Sequence, residues 1–222
     1  LGFWQKRESA DRQAMSLARC SRLPNFPAGS VYRRFFPDNR FRLAGDVARA
    51  KSFPMNSPAP HLLDLTLHLA TADATASLAA TLAPALKAGD CILLSGPIGA
   101  GKTHFCRALI QARLALLDRF EDVPSPTFTL VQVYDAGDVE LWHTDLYRLT
   151  GADEVFELGL DEAFDSAICL VEWPDRLGSF EPANALSLTL APDADGEGRI
   201  AHLVSSSVRW AAVIDSLGIG RT

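Results

Sequence analysis

Eight consecutive residues, Gly96-Pro97-Ile98-Gly99-Ala100-Gly101-Lys102-Thr103, have the types and spacing needed to hold a phosphate. They fit G-x-x-x-x-G-K-[ST] at every fixed position. Glycines let the backbone curl until its N–H groups point inward at phosphate oxygens, and a helix starting there adds its positive end. Lys102 is placed to reach the β- and γ-phosphates, and the Thr103 hydroxyl to bind Mg2+. A glycine-rich turn that binds nothing is the plain alternative, and the flanks argue against it. Cys91 to Ser95 is a short apolar run that reads as a buried strand. Phe105, Leu109, Ala112 and Leu116 recur at helical spacing on the other side.

A P-loop alone binds phosphate; hydrolysis also needs a carboxylate for the Mg2+ shell and a group that positions water. Two carboxylates stand at strand ends. Glu172 closes the apolar run Ile168-Cys169-Leu170-Val171, the layout in which a buried strand delivers an acid beside a P-loop. Asp145 ends a less apolar strand, flanked by His143 and Arg148. A surface or capping carboxylate is the alternative for either. Thr127 lies in a proline-stiffened stretch, Val123-Pro124-Ser125-Pro126-Thr127, where its hydroxyl could sense a γ-phosphate or simply close a turn. Trp173 could lie at the base of the site or belong to the core.

The elements that must hold these groups are legible in order. Leu63, Leu65, Leu67 and Leu69 alternate with Asp64, Thr66 and His68, predicting a half-buried strand with His68 on the solvent side. Thr71 or Asp73 then caps a helix to about Leu86, with Leu78, Leu82 and Leu86 on one face and Pro84 able to shorten it. Thr129 to Tyr134 and Val139 to Thr144 predict a hairpin around Ala136-Gly137-Asp138. Residues 151 to 164 read as short helical turns. Leu186 to Leu190 and Ile200 to Val204 read as strands, and Ser206 to Leu217 as a closing helix with Val208, Ala212 and Leu217 apolar. The expectation is an α/β P-loop NTPase fold: a mostly parallel central sheet flanked by helices, with an antiparallel hairpin.

Charge divides the chain. Residues 1–54 hold 11 Lys+Arg against 4 Asp+Glu, a net of +7, whereas residues 55–222 hold 10 against 23, a net of −13. The acidic part argues against gripping nucleic acid by itself. The basic 1–54 stretch, punctuated by Pro24, Pro27 and Pro37, reads as a disordered or non-native extension, with an RNA-docking arm as the other reading. Met55, directly before the organised 55–222 part, is the expected natural start. Cys20, Cys91, Cys106 and Cys169 form no ligand-spaced pair, which fits a reducing cytoplasm. No apolar run approaches the roughly 20 residues that span a bilayer.

Taken together, Gly-Pro-Ile-Gly-Ala-Gly-Lys-Thr, Ser-Pro-Thr-Phe-Thr-Leu-Val (125–131), His-x-Asp-Leu-Tyr-Arg (143–148), Glu-x-Gly-Leu (157–160) and Val-Glu-Trp-Pro (171–174) resemble the TsaE family over about 62–204. The resemblance implies an ATPase, weak alone and partner-dependent, in the modification that makes threonylcarbamoyladenosine in tRNA. It implies ATP and Mg2+ as ligands, TsaD and TsaB as partners, and tRNA met only through their complex, in the cytoplasm and away from membranes. By position it implies that Gly99, Ala100, Gly101, Lys102, Thr103 and His104 hold the phosphates. Thr103 and Glu172 would complete the Mg2+ shell, while Lys102, Asp145, Thr127 and Glu172 serve catalysis. Thr75 and Trp173 would lie by the nucleoside, and Arg199 near the nucleotide. His104, in place of a small hydroxyl residue, and Pro124, in place of a polar one, depart from the family pattern. A small-molecule kinase on the same fold is the other enzyme reading. It would want an arginine-rich lid, and the arginines after the P-loop helix do not cluster. A non-catalytic nucleotide sensor is the third.

Overall fold

In the computed structural model, residues 42–43, 61–149, 153–194 and 196–220 are described. They lie within one unit, Asp38–Thr222. The extension expected over 1–54 lies outside the described residues except for Arg42–Leu43 (β1), which pair antiparallel with Leu67 and His68.

Apolar content along each strand decides its place in the sheet. Cys91–Ser95 (β3) and Ile168–Glu172 (β6) are nearly continuous apolar runs, buried on both faces, as strands covered by helices must be. They pair in parallel, Leu94 opposite Glu172. Glu140–Asp145 (β5) runs parallel to β6 with Asp145 opposite Glu172, and Leu186–Pro192 (β7) runs parallel to β3 on its other side. Antiparallel strands flank this parallel core. Leu63–Leu69 (β2) and Arg199–Ser205 (β8) pair antiparallel, β8 also joins β7, and Val131–Asp135 (β4) closes the far edge as the antiparallel partner of β5. The order is β1-β2-β8-β7-β3-β6-β5-β4. The α/β architecture and the hairpin are as expected, and the sheet is mixed: the parallel strands β5, β6, β3 and β7 form its centre, with a second antiparallel region on the β2–β8 side.

Helices cover both faces. Ala72–Leu82 (α1) packs on Lys102–Ala115 (α2), and α2 reaches β6. Asp153–Glu157 (α3) and Leu160–Ser166 (α4) lie on the opposite face, where Cys91, Leu93, Cys169 and Val171 meet Val155, Leu160 and Ala163. The Thr71 hydroxyl caps α1 by accepting the Ala74 N–H at 3.1 Å. The α-helix stops at Leu82 rather than near Leu86, because Pro84 has no N–H to continue the ladder; Ala83–Ala85 form a 3-10 turn instead. The last helix, Val208–Ser216 (α5), buries a different face from the one expected. Trp210, Val213 and Ile214 point inward, while Val208 is 71% exposed and Ala212 faces solvent. Trp210 sets the rotation by donating its indole N–H to the Asn184 carbonyl at 2.9 Å. Arg209, on the same helix, makes a two-pronged bond to Asp90, at 3.1 and 2.6 Å, just before β3. His68, expected to face solvent, is half-buried and bonded to Asp193 at 3.0 Å. Among the described residues no helix is long and apolar enough to cross a membrane.

Candidate functional site

The loop between β3 and α2 follows from its glycines. Gly96 takes a φ of +136°, and a Cβ there would stand 2.1 Å from the Leu190 carbonyl oxygen on β7, so no other residue fits without moving backbone. Gly99 and Gly101 are also left-handed, with open space where their side chains would be. Gly101 caps α2 without a side chain, leaving the helix N-terminus uncovered.

Arg199 fixes how this loop presents itself. Its Nε donates to the Ala100 carbonyl at 3.0 Å and an Nη to the Gly99 carbonyl at 3.2 Å; its other Nη bonds the Gly198 carbonyl at 2.7 Å. In a trans peptide the C=O and the next N–H point opposite ways. With the Ala100 carbonyl turned to Arg199, the Gly101 N–H is turned away from it, and the Ala100 N–H is itself spent on the Pro97 carbonyl at 3.1 Å. Arg199 therefore meets the P-loop through the loop's backbone carbonyls.

Lys102 is 5% exposed. Its ammonium donates to the Gly96 and Pro97 carbonyls at 2.8 and 3.1 Å and sits 4.0 Å from the Trp173 ring centroid, a cation–π contact. Burial lowers its pKa from the ordinary lysine value, and Glu172 and Asp145 pull it partly back. Trp173 is held left-handed at φ +63° with its N–H on the Leu94 carbonyl, and its ring tilts against Tyr147 at 5.0 Å. Such a conformation is costly in a bulky residue.

The Thr103 hydroxyl, in the first turn of α2, donates to Glu172 Oε2 at 2.9 Å. The β6 run brings Glu172 there because Leu170 and Glu172, two apart, share the face that α2 covers. Glu172 is 2% exposed, and its other oxygen, Oε1, bonds His143 Nε2 at 3.0 Å. His143 and Asp145, also two apart, share that face on β5. Asp145 accepts the Thr127 hydroxyl on Oδ2 at 2.9 Å and the Tyr147 N–H on Oδ1 at 3.0 Å. Since Thr127 spends its proton on Asp145, the 2.7 Å contact with Ser125 needs the Ser125 hydroxyl as donor. Leu130, left-handed at φ +65°, returns this loop to β5 by accepting the Asp145 N–H at 2.9 Å.

Lys102, Thr103, Trp173 and Glu172 thus converge at the P-loop, with Asp145 and Thr127 joined on the neighbouring strand. Two other expected residues have hydrogen bonds within and between the helices. Thr75 is buried within α1 and turns its hydroxyl toward the Thr71 carbonyl at 3.5 Å. His104 bonds the Ala72 carbonyl at 2.9 Å, tying the first turns of α1 and α2 together. His143, Ser125 and Tyr147 were not singled out by type and spacing; only the His-x-Asp alternation hinted that His143 shares a face with Asp145. The oxygen pair of Thr103 and Glu172 is hard and suits Mg2+ over softer cations. The two oxygens are joined by a hydrogen bond of 2.9 Å.

A family model described as "Threonylcarbamoyl adenosine biosynthesis protein TsaE" matches residues 69–200. Among curated relatives, the tRNA threonylcarbamoyladenosine biosynthesis protein TsaE of Rickettsia conorii is 43% identical over 101 residues, covering 46% of this chain and 56% of its own. The protein of the same name from Bacillus subtilis is 36% identical over 127 residues, 57% of this chain and 77% of its own. The match thus spans little more than half of the Rickettsia conorii relative. The crystal structure of Bacillus subtilis YdiB superposes with a TM-score of 0.56 at 26% identity, covering 70% of this chain and 95% of that one. With a family match over more than half its length and a solved neighbour of the same fold, the chain belongs to the TsaE family.

Proposed function

We propose that this chain binds ATP with Mg2+ and hydrolyses it as the ATPase subunit of tRNA threonylcarbamoyladenosine formation, acting with the TsaD–TsaB transferase. The observation that carries the reading is the bond between Thr103 and Glu172 at 2.9 Å. It joins the P-loop hydroxyl to a buried carboxylate from the adjacent parallel strand, next to a buried lysine. The backbone N–H groups of Gly99, Gly101, Lys102 and Thr103 would receive the β- and γ-phosphates, and Lys102 would exchange its loop carbonyls for phosphate oxygens. Thr103 and Glu172 would hold the ion. Bound there, Mg2+ would offset the charge on the phosphates during transfer. Asp145, aligned beside Glu172, fixes Thr127, and this pair would orient the attacking water near the γ-phosphate. Trp173 would wall the site beside Lys102.

The test is ADP release from the purified protein with ATP and Mg2+, alone and with TsaD–TsaB. Release that rises with the partners supports the reading. Release only when a small acceptor is added would favour the kinase instead. Total tRNA digests from cells lacking the gene should also lose the modified adenosine, and an unchanged digest would sink the pathway assignment.

A further inference from the structure

His143 is a buried polar group for which the proposed chemistry has no use. It is fully buried, and its Nε2 lies 3.0 Å from Glu172 Oε1. Its Nδ1 is buried without a hydrogen-bond partner. An ionised carboxylate only accepts, so the hydrogen between them belongs to Nε2, leaving Nδ1 as a bare lone pair. That tautomer is the one such surroundings favour, since an orphaned buried N–H costs more than an orphaned acceptor.

Glu172 has two oxygens and two partners: Oε1 faces His143, and Oε2 faces the Thr103 hydroxyl. A glutamate has three rotatable bonds, so a metal-facing oxygen is defined only if its twin is held. Resting on the Mg2+ reading of Thr103 and Glu172, we propose that His143 is a positioning residue: its Nε2–H pins Glu172 Oε1 so that Oε2 stays turned to the Thr103 hydroxyl and the cation held there.

Cys106, His143 and Glu172 bring possible ligand atoms within 4.8 Å of one another, all buried. A second metal centre does not follow. Burial above all, then Glu172 and Asp145, push the Cys106 thiol well up, and both Glu172 oxygens already have partners in Thr103 and His143. Cys106 instead lies beside the buried pair.

The test measures Mn2+ binding to the nucleotide complex by electron paramagnetic resonance, and nucleotide binding in EDTA by fluorescence titration. In His143→Leu the half-saturating Mn2+ concentration should rise about 10- to 100-fold, while affinity in EDTA stays within about twofold. In His143→Gln the side-chain amide can donate from nearly the same place, and most of that loss should be recovered. A folded His143→Leu with wild-type Mn2+ binding overturns the proposal, and so does a folded His143→Gln as poor as His143→Leu, which would make the role one of shape. If His143→Leu does not fold, nitrogen NMR of the labelled histidine decides. The Nε2–H tautomer, with a resonance that moves in Glu172→Ala, supports the inference; the Nδ1–H tautomer sinks it. Wild-type protein that binds no Mn2+ with nucleotide would instead refute the underlying metal reading.

Discussion

The Thr103 hydroxyl and the Glu172 carboxylate, 69 positions apart in the chain, meet at 2.9 Å. Parallel pairing of β3 with β6 makes this possible, because Leu94 and Glu172 stand opposite each other one short loop before α2 begins. Glu172→Gln keeps the size but removes the charge and turns one of the two accepting oxygens into an NH2 donor. ATP hydrolysis should fall about 10²-fold or more, by the scale of losing one electrostatic stabiliser, while ATP affinity without metal stays near wild type. Steady-state ADP release alongside a titration in EDTA checks both. Unchanged hydrolysis would show that the carboxylate belongs to structure alone.

Lys102 is the second lever. Its ammonium is buried against two loop carbonyls and the Trp173 ring, and burial holds its pKa below the ordinary lysine value. The shift is downward, with Glu172 and Asp145 pulling the other way. Lys102→Ala should weaken nucleotide binding at least about tenfold and cut turnover about 10²- to 10³-fold. Isothermal titration with a non-hydrolysable ATP analogue measures the first effect. Unaltered binding would contradict the phosphate role.

How much of this was legible in the sequence depends on where each residue's partner lies. The P-loop was readable because its chemistry is local: glycine spacing, one lysine and one threonine between a strand and a helix. Glu172 was readable because an apolar run ending in an acid announces a buried strand that delivers it. His143 could not be assigned, since its partner sits on the neighbouring strand, 29 residues away, and only the register of β5 with β6 brings them together. The rotation of α5 was missed for a similar reason. Its sequence offers two interleaved apolar stripes, and the choice between them rests on the Trp210 bond to Asn184, outside the helix. Arg199 was expected near the nucleotide, but no spacing rule says whether a guanidinium faces a phosphate or the carbonyls that shape the loop.

The P-loop is also anchored from β7. At Gly96 a Cβ would fall 2.1 Å from the Leu190 carbonyl oxygen, a backbone atom in the middle of the sheet, and φ is +136°. Neither partner can rotate out of the way. Gly96→Ala should therefore cost roughly 2 kcal/mol or more in stability and lower nucleotide affinity as well, because the loop must lift from the sheet. Thermal unfolding with and without ATP checks this. By contrast, Gly99→Ala meets only the conformational cost of its positive φ, since its Cβ would enter open space, and should destabilise less.

Acid should loosen the turn between β7 and β8 that carries Arg199. Asp193 in that turn accepts a hydrogen bond from His68 at 3.0 Å. This bond first, and the backbone N–H groups of Gly196 and Gly198 in addition, hold its pKa below the ordinary aspartate value. The folded-state pKa is depressed, so the unfolded chain binds the proton more readily. The stabilisation is therefore present above the unfolded pKa of about 4 and is lost as pH falls through the lower folded value. Asp193→Asn removes the ionisable group. At pH 6 the variant should melt below wild type, and the gap should narrow from about pH 4 downward as wild type becomes protonated. Melting temperatures from pH 6 to 2.5 read this directly; a gap that stays constant would show that the Asp193 charge contributes nothing. Because Arg199 also bonds the Gly198 carbonyl at 2.7 Å, Asp193→Asn should in addition weaken nucleotide binding slightly at neutral pH, through a loop held less firmly from beneath.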